Sequence, residues 1–243
     1  MILADGALAG KTIVVSGASS GIGLATAARA HDLGATVTAL ARRREAMEEG
    51  LGDREVDARA VDVTDREAVA AALDHPEIDA LVLAAGTNVK DRVLEDLSPE
   101  SWDAMMRTNL DGVYHCVRAA LPALRKAKGV VVIVGSVSGS WPDISGPGYQ
   151  ATKAGVLGFA RGATLEEFDR QTGVRFCVVA PGVVDTPLLE NRPKPPSAED
   201  RAIALKSEDV AEVCAFLCAL PAGVHVPELT LLPTALQALG RTS

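Results

Sequence analysis

Thr12-Ile-Val-Val-Ser16, followed at once by Gly17-Ala18-Ser19-Ser20-Gly21-Ile22-Gly23, decides the fold of this 243-residue chain. The β-branched run reads as a strand, and a helical pattern opens directly after the glycines, over residues 21–33. Gly17 permits a tight turn, Gly21 lets backbone approach a pyrophosphate, and Gly23 allows close helix–strand contact. The helix N-terminus then offers unpaired N–H groups and its positive dipole end to an anion. Ser19, Ser20 and Ile22 complete the loop around that anion. A glycine trio between the first strand and the first helix is the context that a dinucleotide site requires, against the plainer reading of a glycine-rich turn.

Working outward, apolar runs alternate with helical patterns along the chain. Strands are expected at residues 12–16, 36–41, 55–61, 80–84, 129–135, 174–180 and 228–232. Helices are expected at 21–33, 65–73, 99–126, 148–170 and 207–220. Strands separated by helices imply right-handed crossovers and a parallel sheet covered on both faces. Strands that are apolar throughout, rather than alternating, fit burial on both sides. The fold class is therefore α/β: a single Rossmann-type doubly wound parallel sheet of about seven strands, one domain over residues 1–243. Residues 186–206, with Arg192-Pro193-Lys194-Pro195-Pro196, are long for a structureless connection, and read as a substrate flap or a partly helical segment.

Composition closes off other classes. The net charge is −8, from 32 acidic and 24 basic residues, and the only basic run is Arg42-Arg43-Arg44, so no phosphate-neutralising stripe for a nucleic acid is expected. Aromatics at 3% leave little material for a stacking platform. No apolar stretch approaches the ~18 residues of a membrane span, and Met1-Ile-Leu-Ala-Asp5 lacks the features of a signal peptide. Cys214 and Cys218 stand one helical turn apart, while Cys116, Cys177 and the four histidines are dispersed. Core packing accounts for the pair better than zinc does. A reduced, cytoplasmic, metal-free protein is expected.

The second strand indicates the cofactor. An acid at its end would bind the adenosine ribose hydroxyls and repel a 2′-phosphate. Ala41 stands where that acid is expected and Arg42 follows, a side chain able to grip a phosphate through two parallel bonds. NADP(H) is thus favoured over NAD(H), against the reading of Arg42–Arg44 as a solvated cluster opening a helix.

A second constellation concerns protons. Tyr149 and Lys153 lie four apart, on one helix face. An ordinary tyrosine has a pKa of ~10, and a neighbouring ammonium is expected to lower it toward the working range. Ser136 follows the fifth strand, at the carboxyl edge where ligands sit in open α/β sheets, and its hydroxyl could polarise a carbonyl oxygen.

The spacing Gly-x-x-x-Gly-x-Gly, with Ser136, Tyr149 and Lys153 at these offsets, resembles the short-chain dehydrogenase/reductase family over residues 8–234. Arg42 is similar to its NADP-preferring branch, although Ser20 stands where some members carry a basic residue. The resemblance assigns catalysis to Ser136, not Ser138, with Tyr149, Lys153 and Asn109. In the family a helix distortion at this asparagine holds a water that relays protons from the lysine. It further implies Asp62 and Val63 at the adenine, Ala85 and Gly86 at the ribose, and Pro181, Gly182, Val184 and Thr186 around the nicotinamide, with Lys153 also bonding its ribose. For Asp62 a helix-capping role near Thr64-Asp65 competes. Where the family usually has two asparagines before Ala85-Gly86, this chain has Leu83-Ala84.

Hydride transfer between NADP(H) and a secondary alcohol or carbonyl is the activity implied, by a homodimer or homotetramer joined through the helices at 99–126 and 148–170. A non-catalytic NADP(H)-binding sensor or scaffold is the alternative, although such proteins typically lose the Tyr or the Lys. Residues 93–97, 141–147 and the flap are expected to line the substrate pocket, with Trp141, Ile144, Leu188 and Leu189 as an apolar wall. The ending His225-Val226-Pro227-Glu228-Leu229 resembles a branch acting on short 3-hydroxy acids such as serine, yet the sequence places no arginine plainly for a carboxylate.

Overall fold

Apolar runs too short to bury themselves pair side by side in the computed structural model, which describes residues 3–240. Met1 and Ile2 of the N-terminal stretch, and residues 241–243 at the end of the expected domain, lie outside the described residues. The strands are β1 (Thr12–Ser16), β2 (Thr36–Ala41), β3 (Asp57–Ala60), β4 (Ala80–Leu83), β5 (Val130–Val134), β6 (Arg175–Pro181), β7 (Val184–Asp185), β8 (Leu205–Lys206) and β9 (Glu228–Leu231). Seven of them form one sheet in the order β3-β2-β1-β4-β5-β6-β9, and every pairing in it is parallel. The fold is the Rossmann-type α/β architecture expected from the sequence.

The helices are α1 (Gly21–Asp32), α2 (Arg44–Leu51), α3 (Arg66–Ala72), α4 (Pro99–Met106), α5 (Gly112–Ala127), α6 (Pro147–Asp169), α7 (Ala198–Ile203) and α8 (Ser207–Ala219). They cover both sheet faces because the strands are apolar on both. Ile13, Val15, Val37 and Ala39 pack with Ala27, Ala30, Cys214 and Ala215 of α1 and α8. The alternate residues Val14, Leu40 and Leu81 pack with Val69, Val113, Ala120 and Val156 of α3, α5 and α6. Each fully buried Val or Leu contributes about 1.5–3 kcal/mol, so the two layers hold the sheet from either side. All four cysteines are buried and unbridged, and desolvation pushes the Cys214 thiol up to about 12.

Strand order reverses at β1, whose neighbours are β2 on one side and β4 on the other. Chains leaving their carboxyl ends diverge there and leave a crevice, the usual ligand position in such sheets. Three departures from the sequence expectation, and the outcome of one alternative it left open, bear on that crevice. The third strand is trimmed to Asp57–Ala60. Helix α2 is additional, since only Met47 and Leu51 are buried along it, too thin a stripe to read. The helix expected over 99–126 is interrupted by a π-helical turn, Arg107–Asp111. Finally, the 186–206 segment is partly helical: a 3₁₀ turn at Pro187–Asn191, then α7, then β8 pairing with β7. Asp185 anchors it, with Arg201 at 3.0 Å and Lys206 at 3.1 Å.

Candidate active site

The glycine turn is built by close approach. Gly17 has φ +72°, and a Cβ there would lie 2.5 Å from the Ala85 nitrogen, so the turn after β1 rests directly on the segment leaving β4. At Gly23 a Cβ would lie 2.4 Å from the Gly17 carbonyl oxygen, closing α1 onto the turn. Helix α1 has no side-chain cap at Ser20 and no acid in its first turn. Its leading N–H groups are therefore available at the cavity that Ser19, Ser20, Gly21 and Ile22 line, a donor set suited to a pyrophosphate. Thr186 stands across this turn, close enough that a Cβ on Gly21 would touch its Cγ2 at 3.3 Å.

At the far end of the cavity Arg42 and Arg43 follow Ala41, and both line it. Arg43 Nη2 donates to Ser19 Oγ at 3.3 Å, joining the end of β2 to the glycine turn. Arg44 turns instead to Glu48 at 2.7 Å. Asp62 Oδ1 accepts the Thr64 N–H at 2.9 Å. Desolvation opposes ionisation of Asp62, yet the Thr64 bonds and the charges of Arg42 and Arg107 prevail and lower its pKa. The capping role falls to Asp65, which accepts from the Glu67 and Ala68 N–H groups at the start of α3. Val63 is buried beside it.

The proton-handling residues meet where β5 ends and α6 begins. Lys153 is 6% exposed, and its Nζ donates to the Val134 carbonyl at 2.9 Å while lying 5.5 Å from the Tyr149 ring centroid. Desolvation lowers the Lys153 pKa to about 8. The same burial raises the Tyr149 phenol to about 12, against the opposing influence of Ser136. Sequence reasoning expected the phenol to fall; here desolvation outweighs every charge acting on it. Ser136 Oγ donates to Ser138 Oγ at 3.0 Å, and Ser138 Oγ donates on to Asp143 at 2.5 Å.

Asn109 sits in the π-helical turn, 1% exposed. Its Oδ1 accepts the Thr87 N–H at 2.7 Å, and its Nδ2 donates to the Thr87 carbonyl at 2.9 Å and to Thr152 Oγ1 at 3.1 Å. Such turns recur at functional sites. Gly86 lies between them: a Cβ there would be 3.6 Å from Asn109 Oδ1 and 3.8 Å from Lys153 Nζ. Apart from Asn109, every catalytic and cofactor residue expected from the sequence lines one cavity of about 560 Å³, including Pro181, Gly182 and Val184.

The model of short chain dehydrogenases matches residues 11–196. The chain belongs to that family. An uncharacterized oxidoreductase of Staphylococcus epidermidis is 31% identical over 92% of this chain and 97% of its own. Sulfoacetaldehyde reductase 2 of Chromohalobacter salexigens is 33% identical over 91% and 94%. Among solved structures, the closed form of serine dehydrogenase complexed with NADP+ superposes with a TM-score of 0.85 at 31% identity, covering 96% of this chain and 98% of that one. This short-chain dehydrogenase is accordingly an NAD(P)-dependent oxidoreductase acting on alcohol or carbonyl groups. Among the described residues, no helix is long and apolar enough to cross a membrane.

Several lining residues escaped sequence reasoning. Ile144, Leu188 and Leu189 line the cavity, as does Asp143 of the expected 141–147 segment, but Trp141 and residues 93–97 do not; Arg92, just before that stretch, does. The sequence places no arginine plainly for a carboxylate; in the structure Arg92 and Arg192 both line the cavity. Asn88, 8% exposed, donates to the Ser145 carbonyl at 3.1 Å and accepts from Asn191 at 3.1 Å. Gln237 accepts the Val183 N–H at 2.7 Å, bringing the C-terminal segment to the site. Arg43 alone had a signal, its place in the arginine run; the others reach the site from loops without periodicity.

Proposed function

We propose that this short-chain dehydrogenase transfers a hydride reversibly between NADP(H) and a secondary alcohol or carbonyl compound, through Ser136, Tyr149, Lys153 and Asn109. The observation that carries this is the sharing of one cavity by the uncapped N-terminus of α1 and the Tyr149–Ser136–Lys153 group. The nicotinamide cofactor, held along Gly17–Gly23, Asp62, Ala85, Gly86 and Thr186, supplies the hydride when bound. Ser136 orients the carbonyl oxygen and Tyr149 donates the proton to it. Lys153 returns that proton through a water held beside Asn109. A phenol of pKa about 12 is protonated at neutral pH, as the reductive direction requires.

The phosphate-directed preference for NADP(H) is supported by Ala41 and by Arg42 and Arg43 at the end of β2, and by the NADP+ complex of the serine dehydrogenase. Tyr114 on α5, and Leu165 and Phe168 on α6, are exposed apolar side chains. They favour a homodimer or homotetramer through those helices; a cytoplasmic location is part of the same proposal. Replacement of Tyr149 by Phe should abolish turnover of every carbonyl reduced by the wild type while NADPH binding persists. Retention of most activity in that variant would end this reading.

A further inference from the structure

Arg92 is 5% exposed, yet its Nε is buried without a partner among the described residues. Arginine is rarely buried this far unless paired. Its Nη2 donates to the Asn191 carbonyl, and its backbone is fixed against the start of the catalytic helix. Gly146, φ +88°, immediately precedes α6, and a Cβ there would stand 2.5 Å from the Arg92 carbonyl oxygen. Arg192 follows Asn191 on the flap and lines the same cavity. Its side chain makes no hydrogen bond to another described residue.

Asp143 is a carboxylate whose influence both guanidinium groups feel, and Arg192 feels Asp200 as well. The Asp143 oxygens are already engaged: Oδ2 accepts from Ser138, and Oδ1 from the Ser145 N–H and hydroxyl. The buried Arg92 and the half-buried Arg192 therefore share a carboxylate whose oxygens are already engaged, and a buried guanidinium without a partner of its own is unfavourable. Burial and the like charge of Arg192 hold Arg92 below the usual guanidinium range. The charges of both also reach the Tyr149 phenol, and all three side chains line the same cavity.

We infer that Arg92 and Arg192 form a receptor for an oxyanion carried by the substrate, which makes this enzyme selective for small oxo or hydroxy compounds bearing a carboxylate or sulfonate near the reacting carbon. Guanidinium forks match such planar or trigonal oxygen sets with two parallel bonds. The cofactor's phosphates have other partners, at the α1 N-terminus and at Arg42 and Arg43. Asn191 bonds both Arg92 and Asn88, so the flap that carries Arg192 is tied to the loop that carries Arg92. This inference rests on the hydride-transfer reading.

The test compares NADPH-dependent reduction of 3-oxobutanoate and 2-oxopropane-1-sulfonate with that of the neutral methyl 3-oxobutanoate. In the full-length wild type, kcat/KM should favour at least one anion over the ester by roughly ten- to a hundredfold, the worth of one charge-assisted bond. That ratio should fall toward one in Arg92→Gln and in Arg192→Gln. Arg192 lies on the flap, so its variant tests the inference even where loss of the buried Arg92 impairs folding. The ratio between the two anions tells carboxylate from sulfonate. Equal rates for ester and acids in the wild type would overturn the inference while leaving the oxidoreductase reading intact. So would a loss of NADPH affinity in the variants that matches the loss for the acids. Should no compound turn over, hydride transfer itself fails. Calorimetric titration with 3-hydroxybutanoate then decides the receptor: binding that Arg192→Gln abolishes sustains it, and absent or unchanged heat overturns it.

Discussion

Lys153 Nζ lies 5.5 Å from the centroid of the Tyr149 ring and holds the Val134 carbonyl at 2.9 Å, so the two side chains share one desolvated corner. That corner moves them in opposite directions, the ammonium down to about 8 and the phenol up to about 12. Between about pH 8 and the ordinary lysine value of ~10.4, the unfolded chain keeps a proton at Lys153 that the folded protein has released. Stability from this group therefore rises with pH across that window. Tyr149 acts in reverse above about pH 10, where the unfolded chain loses a proton that the fold retains. Urea unfolding of wild type and Lys153→Met from pH 7.5 to 9.5 isolates the lysine. The advantage of the Met variant should shrink by roughly 1–2 kcal/mol over that range, and a gap independent of pH would contradict the burial argument.

Asn109 ties the π-helical turn to Thr87 by two reciprocal bonds and to Thr152 by a third. Asn109→Ala leaves the Thr87 N–H and carbonyl without these partners in a partly buried setting, toward the lower end of the about 1–3 kcal/mol for each lost group. Denaturant unfolding should show a loss within that range. Turnover should fall more than tenfold with little change in KM, because Lys153 and the Thr87 backbone lose their register while the cofactor turn does not. A variant that is destabilised but fully active would confine Asn109 to a structural role.

Much of this was legible because the chemistry follows sequence spacing. The strand–glycine–helix unit declares itself within a dozen residues, and Tyr149 and Lys153 share a face by helical geometry alone. Ser136 lies at a strand end that the apolar run predicts. The substrate side was not legible in the same way. Arg92, Asn88 and Arg192 lie in irregular segments, where side-chain direction follows no period, and they converge only when the flap folds back. The π-helical turn was likewise invisible as a pattern; the resemblance implied a distortion, and an asparagine amide bonded to a neighbouring loop shows what it does locally. The phenol pKa was misjudged because a spacing argument counts the nearby ammonium and omits desolvation.

Arg43 reaches Ser19 while Arg42 acts electrostatically on Asp62, so the two arginines stand together where the proposed reading puts the 2′-phosphate of NADP(H). Replacing both with Ala should weaken NADPH binding by roughly ten- to a hundredfold and leave NADH binding almost unaltered. Raising the salt concentration should weaken NADPH binding in the wild type more than in the double variant. Fluorescence titrations with each cofactor measure this directly. An equal loss for NADH would mean that the arginines support the turn and not the phosphate.

Glu167, 3% exposed, receives both arms of Arg125: Nε at 2.9 Å and Nη2 at 2.6 Å. The pair clamps α5, which follows the Asn109 turn, to α6, which carries Tyr149 and Lys153. Arg125 holds the Glu167 carboxyl below its usual range against desolvation. Its contribution is present above the unfolded value of ~4.3 and is lost as pH falls through the lower folded value. Arg125→Met strands a carboxylate in the packed interface. Removing one partner of a fully buried pair costs about 3–5 kcal/mol, and the half-exposed Arg125 side chain reduces this to roughly 2 kcal/mol. The difference from wild type should therefore be largest near neutral pH and close below about pH 4, as the stranded group takes up its proton. A difference that persists undiminished at low pH would trace the loss to the aliphatic stem of Arg125 packing on α5 rather than to its charge.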